Sequence, residues 1–473
     1  MHLKITTLSL LLTAFLANAQ DKAVNVELPS KNVFTDYYFS ESGKAYVASN
    51  NAKDKQTNLQ FFDENLNQKF AKNFASQYKG LGSFFGRGMN AAPVAYNMFG
   101  TRDGEYLICN VDDLLFDSNG ASRKYNRFEE ISGFETVFRI FTNKYDLHLG
   151  KKKKGNEGPY FYRTTLADLS KKPIKLEFPD FDTKIGGTPT KVSGSNSQAW
   201  EDAGFNDSQF YMVSKELNKE RNENQYNIAG FDYEGNVVTK ISIPVKLKGK
   251  YFALSNSGFG GYKTVDYGIV GASAMDENAT GNVYFEDGFY YIYGLFSKEK
   301  GDLNKVKYHG FYINKYDTKG DLVWTFEKPI TQKGFNATQR PLAVEARFVK
   351  TGSRIAFRIS NIMEKYALFF SVDGNDGKLL KEASPTFDIE GNRYENFKGG
   401  TFATGYYVKA YSKKHMDINT LFASFLNPEV EAFLKSPASE DLNYNCKITP
   451  AGIYMIEENY KDKAFRLLKF DWK

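Results

Sequence analysis

The chain has 473 residues, with 62 Lys and Arg against 56 Asp and Glu, a net charge of +6. That balance is too mild for this length to imply nucleic acid, and two cysteines are too few for a disulfide-stapled scaffold. Aromatics reach 16%, with 41 Phe and 31 Tyr, a composition that favours strands over helices.

The first twenty residues read MHLKITTLSLLLTAFLANAQ. Lys4 supplies a short basic start, Ile5 to Leu16 are mostly apolar, and Ala17-Asn18-Ala19 has the small-x-small pattern of a cleavage site. Residues 1–19 are therefore expected to be a secretory signal peptide, cut after Ala19. The apolar run is too short to span a bilayer, which takes about 20 residues. No cysteine lies near the cut to carry a lipid, and no later run is long and apolar enough for a membrane helix. The mature chain, residues 20–473, is expected in the periplasm or outside the cell, as a monomer with no membrane span.

Along the chain, hairpins of one kind recur. A strand ends in Asp, a Gly or polar residue follows about three positions on, and a second strand begins. LQFFDENLNQKFAKNF (59–74), TTLADLSKKPIKLEFP (164–179), IAGFDYEGNVVTKISIP (228–244), YDTKGDLVWTFEKP (316–329) and ALFFSVDGNDGKLLKEA (367–383) share this frame. LFASFLNPEVEAFLKSP (421–437) fits it with Leu426 in place of Asp, and RLLKFDWK (466–473) reaches Asp471 and stops. The Asp can accept a bond from the backbone N–H two residues on, and Gly takes the positive φ that closes the turn. A turn role is expected for Asp63, Asp168, Asp232, Asp317, Asp373 and Asp471.

A second hairpin precedes each of these. Its turns fall at Gly43, Gly104, Asp207, Gly288, Gly352, Gly405 and Gly452, each followed by an aromatic or aliphatic run. The unit is thus a four-strand meander, A-B then C-D. One such sheet cannot cover both its faces, but repeated sheets can. The expected fold is all-β: a single-domain, seven-bladed β-propeller of four-stranded antiparallel blades. Eight blades is the alternative, because the widest gap holds FETVFRIFTNKYDLHLG (134–150) and LLFDSNG (114–120), which could be one more unit. The last unit lacks a D strand. Residues 23–29, AVNVELP, resemble the D strands and are expected to complete it, which removes a free sheet edge. Cys109 and Cys446 then fall in blades that are not adjacent, so two unpaired, buried thiols are expected.

YDTKGDLVWTF (316–326) resembles the turn-plus-Trp repeats of quinoprotein-like propellers and, more loosely, those of other secreted bacterial propellers. The resemblance implies the fold. Only Trp324 stands at the Trp position; Lys, Leu or Thr stands there elsewhere, and no quinone site is carried over.

Motifs that would carry chemistry are sparse. His148, His309 and His415 show no metal spacing, and neither HExxH nor CxxC occurs. GLGSFFGRG (80–88) is not GxGxxG and reads as a loop between blades. GASAM (271–275) has Met275 where a nucleophile elbow needs Gly. DGNDG (373–377) has some calcium-loop character but lacks the later bidentate Glu. No cofactor, metal or catalytic residue is assigned.

The B–C segments carry lysines instead. KKKKGNEG (151–158) and SKEKGDLNKVK (297–307) place Lys151, Lys152, Lys153, Lys154, Lys298, Lys300, Lys305 and Lys307, while Lys215, Lys219, Arg221, Lys413 and Lys414 lie in two further B–C segments. The D–A connections are rich in Gly and aromatics. A basic rim around such a mouth suits an anionic glycan or an acidic protein patch; the plainer reading is solubility. The function expected is a non-enzymatic binding or scaffolding module for a protein or glycan partner. The alternatives are an envelope-associated structural component and a propeller enzyme, such as a glycoside hydrolase or lyase. The enzyme would use carboxylates among Glu201, Asp202, Asp266, Asp276, Glu277 and Glu345.

Overall fold

A computed structural model describes residues 22–28, 34–51, 56–75, 98–109, 114–125, 134–152, 160–171, 173–177, 201–218, 223–246, 251–253, 282–298, 308–331, 344–361, 365–397, 400–409, 415–436, 442–459 and 464–472. Seven sheets make the chain an all-β, seven-bladed β-propeller, with two short helices among the described residues. It divides into two compact units: residues 1–126 with 349–352 and 385–473, and residues 127–348 with 353–384.

The first unit opens with β1 (Lys22–Val26) and the four-stranded sheet β2–β5 (Phe34–Phe39, Ala45–Asn51, Gln56–Phe62, Gln68–Ala75). Sheet β6–β9 follows (Met98–Gly100, Tyr106–Cys109, Leu114–Asp117, Ser122–Lys124). The unit's last sheet holds β27 (Asp388–Phe397), β28 (Gly400–Lys409), β29 (His415–Met416), β30 (Leu442–Thr449), β31 (Gly452–Asn459) and β32 (Ala464–Phe470). Strand β1 lies antiparallel to β32, with Val24 opposite Leu467 and Val26 opposite Phe465. The N-terminal strand thus closes the last blade, as its resemblance to the D strands suggested. Val26 enters a core with Phe39, Val47, Tyr454, Ile456 and Leu467.

The second unit holds β10–β13 (Phe134–Phe141, Tyr145–Lys152, Tyr160–Thr165, Ile174–Glu177) and β14–β17 (Glu201–Phe205, Gln209–Asn218, Glu223–Asp232, Val237–Lys246). Next comes the five-stranded sheet of β18 (Tyr251–Ala253), β19 (Asn282–Glu286), β20 (Phe289–Ser297), β21 (Gly310–Tyr316) and β22 (Leu322–Pro329). Sheet β23–β26 completes it (Val344–Thr351, Arg354–Asn361, Tyr366–Asp373, Leu379–Ala383). Its largest core interleaves aromatics and aliphatics of the fifth and sixth sheets, with Tyr293, Phe311, Phe357 and Phe370 among them.

The membership of the blades differs from the expected frame. Residues 134–150 form the first hairpin of their own blade. The turn expected at Gly405 is not there: Gly405 lies inside β28 opposite Arg393, and the hairpin β27–β28, which closes between Phe397 and Gly400, joins the last sheet through the short strand β29. Residues 421–437, read as a C–D hairpin with Leu426 at its turn, belong largely to helices α1 (Ile418–Leu426) and α2 (Pro428–Lys435). The cause is local capping. The Asp417 carboxylate accepts from the Thr420 N–H at 2.8 Å, and Asn427 Oδ1 accepts from the Glu429 N–H at 2.8 Å. Pro428 at the first helical position and Glu429 and Glu431 in the first turn favour α2 further. Phe433 of α2 packs edge-on against Tyr444 and also meets Phe470, covering one face of the last blade.

The Asp turns behave as their chemistry demands. One carboxylate oxygen of Asp63 accepts from the N–H groups of Asn65 and Asn67 at 2.9 and 2.8 Å. Asp117, Asp232 and Asp317 make the same pair of bonds, two and four residues on. Asp373 accepts from Asn375 at 2.7 Å and Asp168 from Ser170 at 3.1 Å. Gly120, Gly235 and Gly320 take positive φ three residues after the Asp, and Leu66 takes φ 58° at the matching place. In β5, β17, β22 and β26 the register slips just past the turn, leaving Lys69, Val238, Val323 and Leu380 on one-residue bulges.

Asp63 gives this turn a pH signature. Burial works to raise its pKa, but the bonds from Lys69, Asn67 and Asn65 outweigh it and lower the value to about 2. A depressed carboxylate stabilises the fold fully above its unfolded pKa of about 4, and that stabilisation is lost as pH falls through about 2. Lys69 is half exposed, so solvent screening reduces its share of that stabilisation. Asp63→Asn is expected to keep the turn and flatten the acid limb of stability between about pH 4 and pH 2. Acid titration of the unfolding midpoint checks this, and an unchanged limb refutes it.

Gly43 serves two purposes at an A–B turn. Its φ is +92°, and a Cβ there would stand 2.1 Å from the Tyr454 hydroxyl. Gly43→Ala is expected to destabilise by about 2 kcal/mol or more, since both the backbone and the close approach forbid it. The Tyr454 hydroxyl is buried without a hydrogen-bond partner. Tyr454→Phe is therefore expected to be neutral or stabilising by up to about 1 kcal/mol, and to relieve part of the Gly43→Ala loss. Denaturation of the two single variants and the double variant checks the coupling.

Candidate functional site

Each blade has two unlike ends. At one end the A–B and C–D turns are short and capped by their own side chains. Ser40 Oγ accepts from the Lys44 N–H at 2.8 Å, and the Thr142 and Asn206 side chains cap their turns in the same way. Neighbouring blades within each unit are tied together at this end. In the first unit, Tyr46 donates to the Gly104 carbonyl at 2.9 Å, Tyr38 to that of Thr101 at 2.8 Å, and Lys44 pairs with Glu105. In the second, buried Arg163 donates to the Tyr233 carbonyl and to Glu234. Lys315 Nζ and Trp324 Nε1 converge on the Gly374 carbonyl at 2.8 and 2.9 Å. The charged and polar groups at this end are therefore committed to structure. Asp376 of the DGNDG turn likewise pairs with Lys378.

The other end carries the long connections and the lysines. Lys151 and Lys152 are the last residues of β11, opposite Glu135 and Phe134. Lys298 follows β20 and is exposed. Its backbone N–H donates to His309 Nδ1 at 3.1 Å. The His309 backbone N–H in turn donates to the Phe296 carbonyl, so His309 fastens the base of a B–C connection. Lys153, Lys154, Lys300, Lys305 and Lys307 lie outside the described residues, as do Lys219, Arg221, Lys413 and Lys414. The segment 214–224 is less of a loop than its composition suggested: β15 runs to Asn218 and β16 resumes at Glu223, paired to the tip.

The structure brings together one acid–imidazole pair that the search for metal spacing passed over. Asp146 and His148 sit two apart on β11, so both fall on one face of the strand. His148 Nε2 lies 2.9 Å from Asp146 Oδ2, and both side chains are buried. The sequence Asp-Leu-His on a strand was the signal. Such a pair fixes the orientation of the imidazole, but it is closed off from solvent.

Of the carboxylates an enzyme would need, Glu201 and Asp202 lie on β14 and Glu345 on β23. Asp266, Asp276 and Glu277 fall outside the described residues, as do the stretches 80–88 and 271–275 and the leader at 1–19. Among the described residues no group of three His, Cys, Asp or Glu side chains could hold a metal ion. Cys109 and Cys446 are both buried and unpaired with each other.

No family profile and no curated protein matches the chain. Distant likenesses to solved structures exist. The β-propeller domain of the Trilobed protease from Pyrococcus furiosus is 11% identical, covering 80% of this chain and 93% of its own at a TM-score of 0.33. A periplasmic gluconolactonase from Pseudomonas aeruginosa is 12% identical, covering 76% of this chain and 86% of its own, also at 0.33. A prolyl endopeptidase is 10% identical over 83% of this chain at 0.33, and the chain spans only 57% of that protein's length. These likenesses assign no activity and no substrate.

Proposed function

We propose that the protein is a secreted or periplasmic propeller that binds a partner, without catalysis, at the blade ends carrying the long connections. The observation that carries this reading is the placement of lysines within the second unit. Strands β11 and β20 deliver Lys151, Lys152 and Lys298 to the ends of their blades away from the capped turns. The sequence continues each of these ends with further lysines: Lys153 and Lys154 after β11, and Lys300, Lys305 and Lys307 after β20. Clustered cations of this kind attract anionic polymers, acidic glycans or acidic protein patches. No helix among the described residues is long and apolar enough to cross a membrane. The leader-like residues 1–19 support export, with residues 20–473 as a single domain.

A glycan and polyanion binding screen on residues 20–473, repeated at high salt, tests the reading. Binding to acidic polymers is expected and should fade at about 1 M salt, where charges are screened beyond about 3 Å. Reversing the eight lysines from Lys151 to Lys307 to glutamate is expected to weaken that binding at least tenfold. Binding that ignores both salt and charge reversal, or none at all, removes the basic rim as a functional site.

A further inference from the structure

Among the described residues, the exposed large aliphatic side chains are Ile174, Val238, Leu322, Val323, Leu379 and Leu380, each between 45% and 56% exposed. Scattered singly, such residues need no explanation. These are not scattered. Every one is the first or second residue of a D strand, just past a C–D turn, in the sheets of the second unit. At the same place the D strands of the first unit carry Lys22-Ala23, Gln68-Lys69 and Ser122-Arg123. Lys69 sits on the same bulge as Val238, Val323 and Leu380, so the fold does not itself call for an apolar residue there.

Two of these sites adjoin. Trp324, next along β22 after Leu322 and Val323, lays its ring against Gly377 and donates to the Gly374 carbonyl, both in the turn that leads to Leu379 and Leu380. Lys328 and Glu382 pair the same two strands further on. Strands β22 and β26 are each the last in their sheet, so four half-exposed aliphatics share the outer edge of two neighbouring blades. The charges beside them are of both signs. Lys319 and Asp321 flank the first pair, and Asp376, Lys378 and Lys381 flank the second, all exposed. A border of mixed sign draws in neither a polyanion nor a charged membrane. It fits a surface of mixed sign, and a copy of the chain turned by a two-fold axis supplies one: Lys381 of the second copy comes to Asp321, and its Asp376 comes to Lys319.

We propose that this patch joins two copies of the chain in a two-fold dimer, the outer edges of the fifth and sixth sheets packing against their own counterparts. The pairing replaces the monomer expected from the sequence. The lysine-bearing ends of the blades are the opposite ends, so the dimer leaves them open and doubles them for any long polymer.

Sedimentation of the purified protein at rising concentration tests the pairing, and a monomer–dimer equilibrium is expected. Val323→Lys combined with Leu380→Lys should raise the dissociation constant at least about tenfold. The unfolding midpoint, measured where the protein is dilute, should not move, because Lys69 shows that this bulge accepts a lysine. Asp321→Lys and Lys381→Asp should each weaken the dimer, and the two together should restore it, because opposite charges then face one another again. A monomer at every concentration up to about 100 μM overturns the proposal. So does an open series of larger oligomers, or a dimer that survives the double lysine variant. Failure of the charge swap to restore association overturns the two-fold arrangement. A monomer that floats with phosphatidylcholine vesicles would give the patch to a lipid surface instead, and overturn it as well.

Discussion

Trp324→Ala is expected to lower stability by about 3–5 kcal/mol, the largest single-residue effect in the second unit. The indole is 7% exposed and crosses from the fifth blade to the turn of the sixth. Its Nε1 donates to the Gly374 carbonyl at 2.9 Å, beside the Lys315 ammonium at 2.8 Å. Its ring lies so close to Gly377 that a Cβ there would stand 2.8 Å from it, at a backbone φ of +74°. Most of the effect should come from packing, because Lys315 still serves the carbonyl when the indole is gone. Trp324→Phe, which keeps much of the apolar contact, should therefore cost only about 1 kcal/mol for the lost bond. Urea midpoints of the two variants decide the point. Equal losses would assign the docking to the hydrogen bond instead of the ring.

Removing residues 20–26 should be comparably severe. Val24 and Val26 leave the core beside Leu467 and Ile456, at about 1.5–3 kcal/mol for each side chain fully buried. Val24 is only partly covered, so about 4 kcal/mol is expected from the pair. The bare edge of β32 should also promote association between chains. A peptide of residues 20–28 added in trans should restore the unfolding midpoint and suppress that association, as calorimetry and light scattering would show. An unchanged midpoint in the truncated chain would mean that β1 contributes nothing to the blade.

What was legible in the sequence was what a few adjacent residues decide. The Asp turns announce themselves because the carboxylate and its N–H partners are two and four residues apart. The closing strand was legible because residues 23–29 resemble the D strands and the last unit lacks one of its own. Residues 421–437 were misread because the repeat frame was imposed on them, against local signals that were present. Asn427, Pro428 and Glu429 form a helix start, and Asp417 with Thr420 forms another. The count of seven survived because a hairpin at 134–150 was gained as a blade where the Gly405 unit was lost to the last sheet. The Asp146–His148 pair was missed by searching each histidine alone instead of pairing residues by strand period. Five of the eight rim lysines, Lys153, Lys154, Lys300, Lys305 and Lys307, are known only as sequence, because they lie outside the described residues.

The bulges beyond the C–D turns have a practical reach. Lys69, Val238, Val323 and Leu380 occupy the same place in four blades, each side chain near half exposure. A charged residue and three apolar ones share one backbone geometry, so the position constrains shape and leaves chemistry open. It is a natural point of mutational tolerance. Val238→Lys, Val323→Lys and Leu380→Lys should fold as before, and a cysteine at any of the three would give a handle for dyes or tethers at matching points of successive blades.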